Sequence, residues 1–296
     1  MAELEQITDK DLLKEIGRRF EEKAASLQEM EFMTKKLLEM NEQTKRAEEI
    51  KSQFLSLIKN EFNNPISSLL NLSQMLVSKK HPNRFDEIVG MQQMELLRLD
   101  FQLRNIFAAT EIEAGEIAND YVKVNMHKVY EDVLASLTYV IREKNLSLSY
   151  EPECGREIIS DASKLYIILL NLLSNACEFS YPNAEVHVRS RCDEDALILE
   201  VEDFGEGVNV DFKPEIFNRF AKYSSGRTRA HSGLGLGLSI VRAMAEALEG
   251  SVDFSSQDGN TVFTVALPLK NEELTVASGE GSNETFFDDF SDAVEL

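Results

Sequence analysis

Residues 161–179 read Asp161-Ala-Ser-Lys-Leu-Tyr-Ile-Ile-Leu-Leu-Asn171-Leu-Leu-Ser-Asn175-Ala-Cys-Glu178-Phe179, and this segment decides the fold. Asp161 suits an N-cap, because its carboxylate can accept from the free amides of a first turn. A helix through Leu165 to Phe179 is therefore expected. Asn171 and Asn175 stand four apart, so their amides share one face, while Leu169, Leu170, Leu172 and Leu173 cover much of the rest. An amide oxygen is a neutral, hard ligand for Mg²⁺, an ion that keeps several waters and binds through substrate phosphates. Taken alone, the two asparagines serve equally as surface or capping residues.

Downstream, elements of both kinds alternate. Leu146–Tyr150, Glu185–Ser190, Ala196–Glu202 and Thr261–Leu267 have the period of strands. Val124–Lys144 and Gly237–Leu248 read as helices, the second closed by Gly250. Helices and strands intermingled over residues 119–270 predict one α/β layer sandwich. Asp203-Phe-Gly205-Glu-Gly207 follows a strand end. Glycines there let the backbone approach a ligand closely, and a carboxylate beside them can accept from an exocyclic amine such as that of adenine. An ordinary turn is the competing reading. Gly233-Leu-Gly235-Leu-Gly237 opens a helix, and the free amides of a helix N-terminus suit phosphate. The preceding stretch, Ala221 to Ser232, includes Lys222, Arg227, Arg229 and His231. Basic and polar within an acidic chain, it has the composition of a mobile lid over a triphosphate.

Upstream, Leu12 to Leu76 holds no glycine beyond Gly17 and no proline beyond Pro65. Leu37, Met40, Thr44, Ala47, Lys51, Phe54 and Ile58 follow alternating steps of three and four, the seam of a coiled coil weakened by Thr44 and Lys51. Phe62, Leu69, Leu72 and Leu76 keep that spacing displaced by one residue, and Pro65 predicts a bend between Glu61 and Pro65. Lys79 to Asn83 reads as a turn, and a second amphipathic helix from Arg84 to Glu113 is ended by Gly115. Two such helices cannot bury both stripes alone. Pairing with a second copy in a four-helix bundle would. The expected class is α+β: a helical coiled-coil segment 1–50, a dimerising hairpin 51–118, a sandwich 119–270 and an acidic tail 271–296.

The order of the motifs is more specific than any of them. Asn171/Asn175, Asp203-x-Gly-x-Gly, Ile216-Phe217-Asn-Arg-Phe220 and Gly-x-Gly-x-Gly closely resemble the N, G1, F and G2 boxes of bacterial sensor histidine kinases. These belong to the wider GHKL ATPase group, named for gyrase, Hsp90, kinase and MutL. The resemblance takes in Glu111-Ile-Glu-Ala-Gly115, Ser160-Asp161 and Gly259-Asn-Thr261-Val-Phe263, and covers about residues 50–270. It implies a GHKL-type ATP-binding sandwich on a dimeric stalk, with ATP and Mg²⁺ as cofactors. Asn175, with Asn171, would hold Mg²⁺ and phosphates, and Asp203 would read adenine. Gly205 and Gly207, Gly233, Gly235 and Gly237, and Thr261 would line the nucleotide. Glu178 departs from the family, which usually has a basic residue there. A carboxylate facing phosphates repels them, and Lys222, Arg227 or Arg229 could compensate. Asn171 stands where hydrolytic relatives keep a carboxylate base, so efficient hydrolysis by water is not expected.

The stalk departs further. Where the family has His-Glu-x-x-(Thr/Asn)-Pro, this chain has Asn60-Glu61-Phe-Asn-Asn64-Pro65. Imidazole offers a nucleophilic lone pair near neutral pH. An amide nitrogen is delocalised into its carbonyl, so no self-phosphorylation is expected at Asn60. His81, His127, His187 and His231 read as surface residues away from that face. Glu61 and Asn64 match the pair that the family associates with removing phosphate from a response regulator, the amide orienting a water.

Fifty-two acidic against 31 basic residues give a net charge of −21, which excludes nucleic acid and anionic membrane as partners. The tail holds much of this charge, and Phe286, Phe287 and Phe290 in it are either incidental or docking aromatics. The amino-terminal residues have no secretion signal and no run is long and apolar enough to span a membrane, so a cytoplasmic protein is expected. Cys154, Cys177 and Cys192 are scattered and suit a reducing compartment. Three readings stay open. They are a nucleotide-binding regulator of a response regulator or partner kinase, a kinase phosphorylating a partner's histidine, and a non-enzymatic scaffold.

Overall fold

A computed structural model describes residues 9–78, 84–115, 117–152, 158–193, 195–208, 216–218, 235–257 and 259–270. The chain divides into two compact units, Met1–Asn60 and Glu61–Leu296. Helix α1 is Asp9–Val77 and continues through Pro65, since a proline forfeits one hydrogen bond and packing on either side can hold the helix together. In the amino-terminal unit the seam residues Leu37 and Met40 are exposed, as are Phe32, Met33 and Leu38. The expected turn at 79–83 lies outside the described residues.

In the larger unit, α2 spans Phe85–Ala114 and stops, as expected, at Gly115, whose φ of 69° lets its N–H reach the Glu111 and Ile112 carbonyls. Gln102 donates to Glu61 (3.1 Å) and Gln92 to Ser73 (2.8 Å), tying α2 to the end of α1. There follow β1 (Val122–Val124), α3 (Met126–Lys144), β2 (Ser147–Pro152), β3 (Ile158–Ser160), α4 (Ala162–Phe179), β4 (Glu185–Cys192), β5 (Ala196–Phe204), α5 (Gly237–Ala247), β6 (Ser251–Gln257) and β7 (Asn260–Pro268). Five strands form one sheet in the order β2-β4-β5-β7-β6, and β1 pairs with β3 separately. Among the described strands only β2 and β4 are parallel neighbours. The crossover between them carries α4.

Alternation makes the sandwich. Leu197, Leu199 and Val201 on β5, with Phe263, Val265 and Leu267 on β7, face the helices and are buried. The opposite face carries charge: Arg189 bonds Glu202 at 2.6 Å and Arg191 bonds Glu200 at 3.0 Å. Helix α4 is buried over most of its length and packs against α3, α5 and β5. Asp161 caps it as expected, accepting from the Lys164 N–H at 3.0 Å. The same carboxylate accepts from the Asp120 N–H at 3.0 Å and pairs with the buried Lys164 ammonium at 2.5 Å.

The structure corrects the sequence reading in three places. Three strands went unread: β1 and β3, each three residues long, and β6, whose Ser251, Ser255 and Ser256 hide its alternation. Helix α3 begins at Met126 rather than Val124, with Asn125 accepting from the His127 N–H at 2.9 Å. Gly250 closes α5 as expected, its N–H donating to the Ala245 carbonyl at 2.8 Å, and the left-handed residue before it is Glu249 (φ 63°). Gly250 is needed for space, because a Cβ there would stand 2.3 Å from the Ala266 carbonyl oxygen. Cys177 is a buried free thiol, but Cys192 is disulfide-bonded, contrary to the reduced thiols expected.

Candidate functional site

Helix α4 is the spine of the site, and its amides have separate fates. Asn171 is 1% exposed. Its Nδ2 donates to the Asn105 Oδ1 of α2 at 2.8 Å and to the Ile167 carbonyl at 2.9 Å, which uses both amide hydrogens. Its Oδ1 is buried with no hydrogen-bond partner. An unsatisfied buried acceptor costs about 1–3 kcal/mol, so this oxygen marks a position that a ligand would improve. Gly237, the first residue of α5, lies beside it, and a Cβ there would come within 2.8 Å of that oxygen. Asn175, one turn on, is half-buried.

The carboxyl end of α4 meets the other half of the site. The Phe179 carbonyl lies so close to Gly205 that a Cβ would stand 2.1 Å from it, and Ser180 bridges to Gly205. The Gly205 N–H donates to the Gly259 carbonyl at 2.9 Å. Gly207 has a φ of +71° and sits against Ser256 and Gly259. Asp203 ends the buried row of β5, directly cross-strand from Thr261 on β7. Both are almost fully buried, and Thr261 shares a hydrogen bond with Ser256 at 3.1 Å. Burial pushes the Asp203 carboxyl up to about 7; Glu202 adds to the rise and Lys144 opposes it. Burial alone would raise Glu202 too, but hydrogen bonds from Asn260 and Arg189 hold it below its ordinary value.

Two residues of this neighbourhood escaped the sequence reading. Lys144, the last residue of α3, donates to the Glu178 and Ser180 carbonyls. Its ammonium also faces the Glu178 carboxylate and Asp203, while desolvation lowers its pKa. The charge that Glu178 brings is thus partly offset from α3. Asn105 is the second, contributed by the hairpin. The sequence signal for Lys144 was a basic residue in a helix's last turn; Asn105 gave none.

Other expected residues lie elsewhere. Asn60 and Glu61 are in α1, Glu61 half-buried against Gln102, and Asn64 is exposed on the same helix. Phe217 is buried, edge-on to Phe254 with centroids 6.2 Å apart. Gly235 has a φ of +66°. Lys222, Arg227, Arg229, His231 and Gly233 lie outside the described residues, as does the tail with Phe286, Phe287 and Phe290.

The donor set fits Mg²⁺ brought in on nucleotide phosphates. Among the described residues no group of three or more His, Cys, Asp or Glu side chains could hold a metal. A magnesium site built from amides, waters and phosphates requires none. Asn171 supplies an unpaired oxygen, Gly237 leaves the space beside it, and Asp203 supplies an acceptor at the far end of α4.

Residues 160–271 match the family model of histidine kinase-, DNA gyrase B- and HSP90-like ATPases. The chain is 28% identical over 81% of its length to the autoinducer 2 sensor kinase/phosphatase LuxQ of Vibrio parahaemolyticus. It is likewise 28% identical over 80% of its length to the circadian input-output histidine kinase CikA of Synechocystis and to the sensor histidine kinase YclK of Bacillus subtilis. It spans only 29%, 33% and 50% of those three proteins' own lengths. The fold is that of full-length ShkA in complex with AMPPNP, with a TM-score of 0.53, 22% identity, and coverage of 74% of this chain and 46% of that one. No described helix is long and apolar enough to cross a membrane. Residues 160–271 are thus similar to the histidine kinase-, DNA gyrase B- and HSP90-like ATPases, and the longer match, over four-fifths of the chain, is to sensor histidine kinases.

Proposed function

We propose that this chain binds Mg-ATP and regulates a response regulator or partner kinase, without phosphorylating its own stalk. The observation that carries the reading is the pairing of buried acceptors along α4. The Asp203 carboxyl lies cross-strand from Thr261 at one end, and the unpaired Asn171 oxygen lies beside Gly237 at the other. Asp203 would accept from the adenine amine. Asn175 and Asn171 would hold the metal and phosphates, and the glycines of the first turn of α5 would present amides to the phosphate chain. When bound, the metal neutralises phosphate charge and fixes the geometry of the triphosphate.

Asn60 is the reason for excluding self-phosphorylation, since an amide is not a nucleophile toward a phosphoryl group. Asn64 is exposed on α1, where it is free to orient a water on a partner's acyl phosphate. That supports a phosphatase role, with Glu61 held by Gln102 one turn away. A kinase acting on a partner's histidine would use the same nucleotide site. Lys144 beside Glu178 weighs against a vestigial site and hence against a pure scaffold, because it offsets the repulsion that Glu178 would exert on phosphates.

The test is intact-mass analysis of the purified chain after incubation with Mg-ATP at neutral to alkaline pH, where phosphohistidine survives, with nucleotide binding measured in parallel. The expected outcome is binding without added phosphate, binding that Asn175→Ala or Asp203→Ala abolishes, and mass gain on Asn60→His. A phosphorylated wild-type chain would overturn the role given to Asn60. Transfer of label to a partner protein would favour the kinase acting in trans.

A further inference from the structure

Helix α2 packs on α3 and α5, and its Asn105 reaches Asn171 of α4. Asn105 is buried at 8% exposure among Ala108, Ala109 and the face of α4, and its Oδ1 accepts from Asn171 at 2.8 Å. An asparagine amide has two ends of nearly equal shape, and only its hydrogen bonds decide which way it points. The Ile167 carbonyl takes one Asn171 hydrogen and Asn105 takes the other. The oxygen is therefore turned away from α2, toward the space that Gly237 leaves. Arg104, next to Asn105, stacks over Tyr166 of α4 with 5.7 Å from its guanidinium carbon to the ring centroid. The segment of α2 that presents Asn105 is thus anchored on the same helix.

We propose that Asn105 is a positioning residue for the metal-and-phosphate end of the nucleotide site, acting through Asn171, so that docking of α2 on α4 sets whether the Asn171 oxygen is presented. This rests on the Mg-ATP reading above. A side-chain oxygen acceptor at position 105 holds the Asn171 nitrogen toward the hairpin. When α2 withdraws or the acceptor is lost, the amide is free to rotate and its oxygen no longer has a fixed direction. The hairpin thereby influences the metal without touching it.

The experiment compares the full chain with Asn105→Ala and Asn105→Asp. Alanine is the strongest helix former and introduces no clash, whereas aspartate keeps an acceptor oxygen in the same place. Binding of a fluorescent ATP analogue is titrated with excess Mg²⁺ and again in EDTA, and the ratio of the two Kd values is the readout. The expected result is a wild-type preference for the Mg²⁺ form that falls by about tenfold in Asn105→Ala, with EDTA affinity within twofold of wild type, and returns in Asn105→Asp. An unchanged ratio in Asn105→Ala would sink the proposal. So would equal weakening with and without metal, which is the signature of a merely structural role. If the wild-type chain binds no nucleotide at all, the Mg-ATP reading itself fails and this proposal with it.

Discussion

Asp203 sits where folding and recognition oppose each other. Its carboxyl is buried and is pushed up to about 7, so ionising it works against the folded state. The folded value lies above the ordinary unfolded one near 3.9. The fold is therefore least burdened at acid pH, and the penalty grows as pH rises toward 7 and then levels off. At roughly 1.4 kcal/mol per unit the upper bound is about 4 kcal/mol. Asp203→Asn should accordingly raise Tm by several degrees at pH 8, with the gain shrinking steadily as pH falls from 7 toward 4. The same change should weaken ADP binding about tenfold at pH 8, because the adenine amine loses a charged acceptor. Wild-type affinity should drop below pH 7 relative to the variant, a comparison in which the titration of the phosphates cancels. Thermal melts and ADP titrations across pH check both halves. A variant that is less stable at pH 8 would contradict the assigned cause of the shift.

At the scale of elements, the glycines separate packing from flexibility. Gly205 has no room for a side chain, since its Cβ would meet the backbone oxygen of Phe179 at 2.1 Å. Gly90, in the interior of α2, would meet nothing within 4 Å. Gly205→Ala should therefore lower stability by about 1–3 kcal/mol, through forced separation of α4 from β5. Gly90→Ala should raise it by about 0.5–1 kcal/mol through helix propensity. Urea denaturation of the two variants decides this, and equal effects would mean that Gly205 is not at a close contact. The same contrast explains what was legible beforehand. Helix α4 and strands β5 and β7 could be read because burial imposes a period, which Leu197, Leu199 and Val201 keep without a break. Strand β6 could not, because it pairs with β7 alone and only Phe254 on it is buried. Asn171 and Asp203 were picked out by motif, but the burial of Asn171 was not, since it depends on Asn105, 66 positions away in sequence. Lys144 was missed for the same reason: its partners Glu178 and Ser180 belong to another helix end.

At the scale of the whole molecule, the hairpin leaves a row of apolar residues exposed. In the larger unit Ile66, Leu70, Val77, Phe85, Val89 and Leu96 are exposed, with Leu70 at 60% and Leu96 at 54%. An apolar stripe of this kind along paired helices marks a contact surface. A second copy would present the same stripe under a two-fold axis, making the surface self-complementary. The chain's net charge of −21 opposes association, so apolar burial must outweigh that repulsion and the dimer should be tighter at high salt, where the repulsion is screened. Light scattering coupled to size exclusion should give twice the chain mass, rising toward complete dimer with added salt. Leu70→Glu combined with Leu96→Glu should give the single-chain mass at every salt concentration. Nucleotide affinity should survive that double change, because both leucines are exposed and neither belongs to α4, β5 or α5. Loss of binding along with dimerisation would instead mean that the second copy completes the site, and would move the functional unit from one chain to two.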